Sequence, residues 1–181
     1  EMCIRDRTPS GCYLDTVTAE DLVVVDLDGT VAEETEHVPT SELRIHLDVY
    51  RTTTARAVVH AHPIASIAVS NTNDELPVVH YTAAMIGGTV RVAPYAVFGS
   101  QELSDNVAAA LRDRTVALMR NHGSVAYGDD IESACDRIEL VDWLAQIHLQ
   151  APGGSVLDDA QVGDVIMTAA QRHYSPFRSA T

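Results

Sequence analysis

The chain contains no lysine. Its 12 cationic side chains are all arginine, set against 26 carboxylates, for a formal charge of -14 across 181 residues. That imbalance excludes nucleic acid and anionic membrane as partners, since both call for a basic face. Any phosphorylated ligand has to be held locally, by backbone amides and a metal rather than by a field of positive charge. Cysteine is also scarce. Cys3, Cys12 and Cys135 are odd in number and widely spaced. They offer neither a disulfide framework nor a Cys-x-x-Cys zinc site, which is cytoplasmic usage. No apolar run approaches the length of a membrane span, and no signal peptide is visible. Repeats, low-complexity stretches and domain linkers are missing too. What remains is a chain that is 46% hydrophobic, enough to build one domain of ordinary size with a real core.

Residues 1–7 read as neither strand nor helix. They resemble the conceptual translation of a sequencing-library adapter, so they are taken as a non-native or disordered tail. The expectation is a single domain over residues 8–181 that lacks its natural N-terminus. Leu22 to Leu27 form an apolar strand, and Asp28-Gly29 marks a tight turn into Thr30-Val31. Pro39-Thr40-Ser41-Glu42 is a helix start, with Thr40 or Ser41 as N-cap and Glu42 in the first turn. Ala57 to Ala61 is a second strand, and Pro63 opens a short helix. Gly87-Gly88 breaks the chain after Tyr81 to Ile86. Ser100 caps a helix whose apolar stripe is Leu103, Val107 and Leu111. A long helix runs from about Asp130 to Gln150, with Ile131, Ala134, Ile138, Val141 and Ala145 on one side. A last helix covers roughly Asp158 to His173. Strands interleaved with helices predict a layered α/β domain.

Three histidines carry the chemistry. His60 and His62 stand at i and i+2 of the strand in Val58-Val59-His60-Ala61-His62-Pro63, so their imidazoles share a face. His122 follows the apolar run Val116-Ala117-Leu118-Met119, in the turn Asn121-His122-Gly123. Three neutral imidazoles with an open fourth position describe a catalytic Zn²⁺ rather than a structural one. A histidine on an apolar strand is also a common hydrogen-bonded core residue, and the pair alone leaves both readings open.

Other pieces accompany them. Thr8-Pro9-Ser10-Gly11 is a small hydroxyl-bearing turn suited to phosphate oxygens. Thr40-Ser41 at a helix N-terminus offers hydroxyls, free amides and a favourable dipole, with the Glu42 carboxylate alongside. Taken singly, Glu42 is an ordinary first-turn carboxylate, Thr40 and Ser41 are caps, and Tyr81 is a packed aromatic. Together with a metal they suggest chemistry on a phosphorylated carbonyl compound.

Thr8-Pro-Ser-Gly11, Pro39-Thr-Ser-Glu42, Ala57-Val-Val-His-Ala-His-Pro63, His80-Tyr81, Ala93-Pro-Tyr-Ala-Val-Phe-Gly99 and Asn121-His-Gly123 resemble the class II aldolase/adducin family. The resemblance runs in order from Thr8 to about Gln150. It implies a three-layer α/β/α sandwich around a mixed, largely antiparallel sheet, and a homotetramer with its sites at subunit interfaces. It implies His60, His62 and His122 as ligands of one Zn²⁺ per subunit. Glu42 becomes the catalytic acid/base, Ser10, Gly11, Thr40 and Ser41 the phosphate-binding residues, and Tyr81 a residue reaching into the neighbouring subunit's site. The implied reaction is reversible cleavage of a ketose 1-phosphate, of the L-fuculose 1-phosphate type, to dihydroxyacetone phosphate and an aldehyde. No Schiff-base lysine is needed, in keeping with the all-arginine set.

The chain departs from the family in two places. An early Gly-Asn-x-Ser phosphate segment is missing, and the C-terminal part matches poorly, with Tyr174 as the counterpart of a late tyrosine. The same scaffold also serves 4-epimerisation of L-ribulose 5-phosphate, dehydration of methylthioribulose 1-phosphate and metal-dependent decarboxylation. The epimerases typically carry Asp where Glu42 stands, which favours the aldolase. An adducin-like, non-enzymatic interaction module would have lost the metal ligands, and here all three are present.

Overall fold

The computed structural model describes residues 5–13 and 15–172. Tyr174, His173 and the first four residues lie outside that range. Two short strands, β1 (Arg5–Arg7) and β2 (Val23–Val25), pair antiparallel as a separate ribbon. Arg5–Arg7 therefore depart from the expectation of no regular structure for residues 1–7. Their backbone is drawn into a ladder by Val23 and Val25, both fully buried, which form a small apolar cluster with Leu47. After β2 the Asp26 carboxylate accepts from the amides of Asp28 and Thr30, and that closes the expected turn at Gly29.

The main domain follows: α1 (Leu43–Thr52), β3 (Ala57–Ala61), α2 (Ile64–Thr72), β4 (Glu75–Leu76), a 3-10 segment (Tyr81–Ile86) and β5 (Val90–Ala93). Then come α3 (Gln101–Ala110), β6 (Val116–Met119), β7 (Gly123–Gly128), α4 (Ile131–Gln150) and α5 (Asp159–Gln171). Five strands form one sheet in the order β3-β7-β6-β5-β4. Only β5 and β6 run parallel; the other neighbours are antiparallel.

The sheet is covered on both faces. Ile45 and Val49 of α1 join Leu103 and Val107 of α3 on one side. Val69 of α2 joins Val141 and Leu144 of α4 on the other. Central strand β6 shows why its sequence is an unbroken apolar run. Val116 and Leu118 point into the α2/α4 layer, and Ala117 and Met119 into the α1/α3 layer. Wholly buried side chains such as Leu118 contribute about 1.5–3 kcal/mol each. This is the three-layer sandwich with a mixed, largely antiparallel sheet.

Three of the five α-helices start on a side-chain cap, and α1 and α2 do not. The Ser100 side chain accepts from the Leu103 amide, and Asp130 and Asp158 close capping boxes on α4 and α5. At α1 the N-cap is Glu42 itself, without a side-chain cap bond, rather than Thr40 or Ser41. The Thr40 hydroxyl accepts from the Glu42 amide at 3.3 Å, so the Glu42 carboxylate is left to other partners. Ile131 does not join the core stripe of α4. It sits in the first helical turn at 62% exposure, and burial begins one turn later at Ala134. Among the described residues no helix is long and apolar enough to cross a membrane.

Candidate metal centre

β3 delivers His60 and His62 to the end of the sheet where it pairs with the start of β7. His60 stands opposite Val125, and Ala61 opposite Ser124. The His60 Nδ1 lies 2.9 Å from the Ser124 carbonyl oxygen. A carbonyl can only accept, so Nδ1 carries the proton and Nε2 keeps a free lone pair. His62, one residue beyond β3, places its Nε2 3.0 Å from that atom. His122 enters from the turn between β6 and β7, and its amide donates to the Met119 carbonyl at 3.1 Å. One ligand atom from each histidine lies within 4.8 Å of the others.

The hairpin that brings His122 in depends on the residue after it. A Cβ on Gly123 would lie 2.4 Å from the Ala61 carbonyl oxygen and 2.7 Å from the His62 ring. Only glycine lets β7 come that close to the end of β3. Asn121, just before His122, takes a left-handed conformation at φ +55°.

Burial favours the neutral form of two of the ligands, His60 and His122. The His60 imidazole is held at a pKa of about 4, first by desolvation and then by His122 and His62, with the Ser124 bond acting the other way. His122 is lowered by desolvation and by His62. Deprotonated imidazoles turned toward one point are the donor set that a borderline divalent ion takes. His46 lies against this region from α1. Its Nδ1 is enclosed without a hydrogen-bond partner, and burial, with Arg7 and His60 beyond it, lowers its pKa to about 3.

Glu42 lies close enough to His62 to feel its charge. It is only 5% exposed, and its Oε2 is buried with no hydrogen-bond partner. Desolvation raises its pKa, opposed by the Gly99 amide that donates to it and by nearby His62. A buried carboxylate with one unsatisfied oxygen beside an imidazole cluster is what a metal or a substrate proton would satisfy. The donor chemistry and the orphaned oxygen thus both fit a divalent metal.

The two segments read as anion seats are brought together. The Ser10 amide donates to the Val38 carbonyl at 2.8 Å and the Thr40 amide to the Thr8 carbonyl at 3.2 Å, with Pro9 and Pro39 in a β-bridge. The antiparallel register sets Thr40 opposite Thr8 and Ser10 opposite Val38, so Gly11 and Ser41 lie at opposite ends of the bridge. Gly11 has φ +74° with open space around it. Gly99, at φ +71°, packs so that an added Cβ would meet the Ser41 carbonyl at 3.0 Å.

Tyr81 is placed apart from the triad. It is 49% exposed at the start of the 3-10 segment, and its ring lies 4.4 Å from that of His80. Two contributors escaped the sequence. The Ser124 carbonyl and the Gly99 amide are backbone groups with no side-chain signal. The glycines at 99 and 123 are the signals that could have pointed to close approach.

The model of the class II aldolase and adducin N-terminal domain matches residues 7–149. The chain belongs to the class II aldolase and adducin family. It is 38% identical over 144 residues to the L-fuculose phosphate aldolase of Escherichia coli K12, covering 78% of this chain and 66% of that one. It is 38% identical to the 5-deoxy-D-ribulose 1-phosphate aldolase of Bacillus thuringiensis, covering 79% and 67%. The solved structure of an L-fuculose 1-phosphate aldolase superposes with a TM-score of 0.86 at 32% identity, over 92% of this chain and 80% of that one. The family fold and the sandwich described above agree. The chain spans just under two thirds of the length of the Escherichia coli relative.

Proposed function

We propose that this class II aldolase family chain is a zinc-dependent aldolase acting on a ketose 1-phosphate. The observation that carries the reading is the histidine triad with a buried, half-satisfied Glu42 carboxylate beside it. An adducin-like interaction module has no use for a three-imidazole donor set. His60, His62 and His122 would hold the ion, which supplies Lewis-acid polarisation of the substrate carbonyl when bound.

The remaining work falls to the chain itself. Ser10 and Thr40 sit on bridged backbone segments, and Gly11 and Ser41 follow them in the chain; these four would hold the substrate phosphate through hydroxyls and amides without a basic residue. In the cleavage direction the C3–C4 bond breaks, and its electron pair stays with C3. The C4 hydroxyl gives up its proton and becomes the aldehyde. Glu42, its pKa raised by burial, returns a proton to C3, and in condensation it takes that proton away. Tyr81, exposed on this chain, would act in the site of a neighbouring copy in a homotetramer, donating its phenol proton to the aldehyde oxygen in condensation and, as the phenolate, taking the C4 hydroxyl proton back in cleavage. Cysteine usage and the sugar-phosphate substrate support a cytoplasmic setting.

Relatives of equal identity bear the names of two different ketose 1-phosphates. The substrate class is therefore the supported level. The test is to supply Zn²⁺ and measure dihydroxyacetone phosphate release from L-fuculose 1-phosphate and from 5-deoxy-D-ribulose 1-phosphate. Release from either supports the reading. Metal-loaded, folded protein that releases none from either, while epimerising L-ribulose 5-phosphate, dehydrating methylthioribulose 1-phosphate or doing nothing, overturns it.

A further inference from the structure

The β6–β7 turn that carries His122 is not held by the sheet alone. The Asn121 amide donates to Asn71 Oδ1 at 3.1 Å, across 50 positions of sequence. Arg120 donates from the same turn to the Asn73 carbonyl at 3.2 Å and to the Asp74 carboxylate. All three acceptors sit at the C-terminal end of α2. The other end of that helix begins directly after His62, with Pro63 as its N-cap. It is pinned from α4, where the Asp142 carboxylate accepts from the Ser66 amide at 2.8 Å and from the Ser66 hydroxyl at 3.0 Å. Helix α2 is thus a strut, anchored by Asp142, that runs from one histidine loop to the other.

We propose that Asn71 is a positioning residue for the metal centre, fixing through the Asn121 amide the left-handed turn that presents His122. Asn71 is exposed, so its bond to the turn is a directional contact rather than a packing one. Asparagine tolerates the left-handed conformation better than most residues but also samples others, and an acceptor for its amide selects the left-handed one. Without the Asn71 acceptor the Asn121 amide loses its partner, and the turn is free to relax toward negative φ. The β6–β7 ladder, which begins at Met119 and Gly123 on either side, stays paired. The imidazole between them shifts, and the triad loses its third member's aim.

This inference rests on the metal-centre reading, and the experiment separates the two. Chelator-stripped protein is titrated with Zn²⁺ against a chromophoric competitor, and the melting temperature of each metal-free variant is recorded. Asn71→Ala is expected to weaken zinc binding about tenfold, the lower end for outer-sphere partners of metal ligands. Its metal-free melting temperature should match the parent. Asn71→Asp keeps the acceptor oxygen and should restore the affinity. His122→Ala should abolish tight binding. Parent-like affinity in Asn71→Ala, with binding lost in His122→Ala, overturns the role of Asn71 alone. So does a joint loss of affinity and melting temperature that Asn71→Asp leaves unrepaired. Tight zinc binding retained by His122→Ala overturns the metal centre itself.

Discussion

His60 donates its Nδ1 proton to the carbonyl of Ser124, its cross-strand neighbour at 2.9 Å, and is thereby committed to offer Nε2 to the site. The backbone ladder between β3 and β7 so decides the tautomer of a side chain. Because the acceptor is main chain, no substitution at position 124 other than proline-like distortion of the strand removes it.

His60→Ala is expected to lose the metal. Elemental analysis of the purified variant, at stoichiometric sensitivity, is the check. A full equivalent of zinc retained per chain would mean that the ion sits elsewhere.

Glu42→Gln is expected to retain metal and to lose about 10²–10⁴-fold in turnover, the usual contribution of a general acid–base group. The same change should stabilise the metal-free protein at neutral pH. Burial raises the carboxyl pKa in the folded state, so its stabilising contribution belongs to low pH and is lost as pH rises through the folded value. At pH 7 the ionised group is a cost that glutamine removes. Melting curves at neutral and acidic pH should show the variant's advantage shrinking as pH falls. An unchanged rate of proton exchange at the dihydroxyacetone phosphate carbon would exclude Glu42 as the base.

Gly123→Ala is expected to damage both fold and site. Its Cβ would meet the Ala61 carbonyl at 2.4 Å, backbone against backbone, so β3 and the hairpin must part. Overpacking of this kind costs about 1–3 kcal/mol. Chemical denaturation should read that loss, with zinc affinity falling alongside. Parent-like values in both would show that the strand end is looser than its geometry.

Acid should destabilise the metal-free protein through its buried imidazoles. His46 and His60 have folded pKa values of about 3 and about 4, below the ordinary 6.5. The unfolded chain therefore takes up protons first. The stability these groups contribute is present above about pH 6.5 and drains away as pH falls toward those folded values. Melting temperature measured from pH 7 down to pH 4 should decline, and His46→Leu should decline less. A His46→Leu slope equal to the parent's would remove His46 from the account.

Much of this site is legible in the sequence because two of its ligands obey the simplest periodicity available. A strand puts i and i+2 on one side, so His60 and His62 declare themselves, and His122 follows a four-residue apolar run that can only be a buried strand. The helix caps at Ser100 and Asp130 are equally local. What the sequence hides is non-local or main chain. Strand β7 is bracketed by glycines and has no alternation, because it lies in mid-sheet with its first four residues buried. Glu42 looks like a first-turn carboxylate until Gly99, 57 positions on, is seen to donate to it. Asn71 and Asn121 are both unremarkable polar residues apart; only the turn of α2 against the hairpin makes them partners.

Strand β3 is the outermost strand of the sheet, paired on one side only, and its last residues carry the ligands. An ion gripped by His60, His62 and His122 would rivet that margin to the β6–β7 hairpin. Stripping the ion should then let β3 peel from its His60 end inward, with amide exchange quickening there before the sheet centre responds. A five-residue apolar margin that frays is a template for another chain. Chelators should therefore act on this protein first as promoters of self-association, and zinc in the storage buffer as a guard against it.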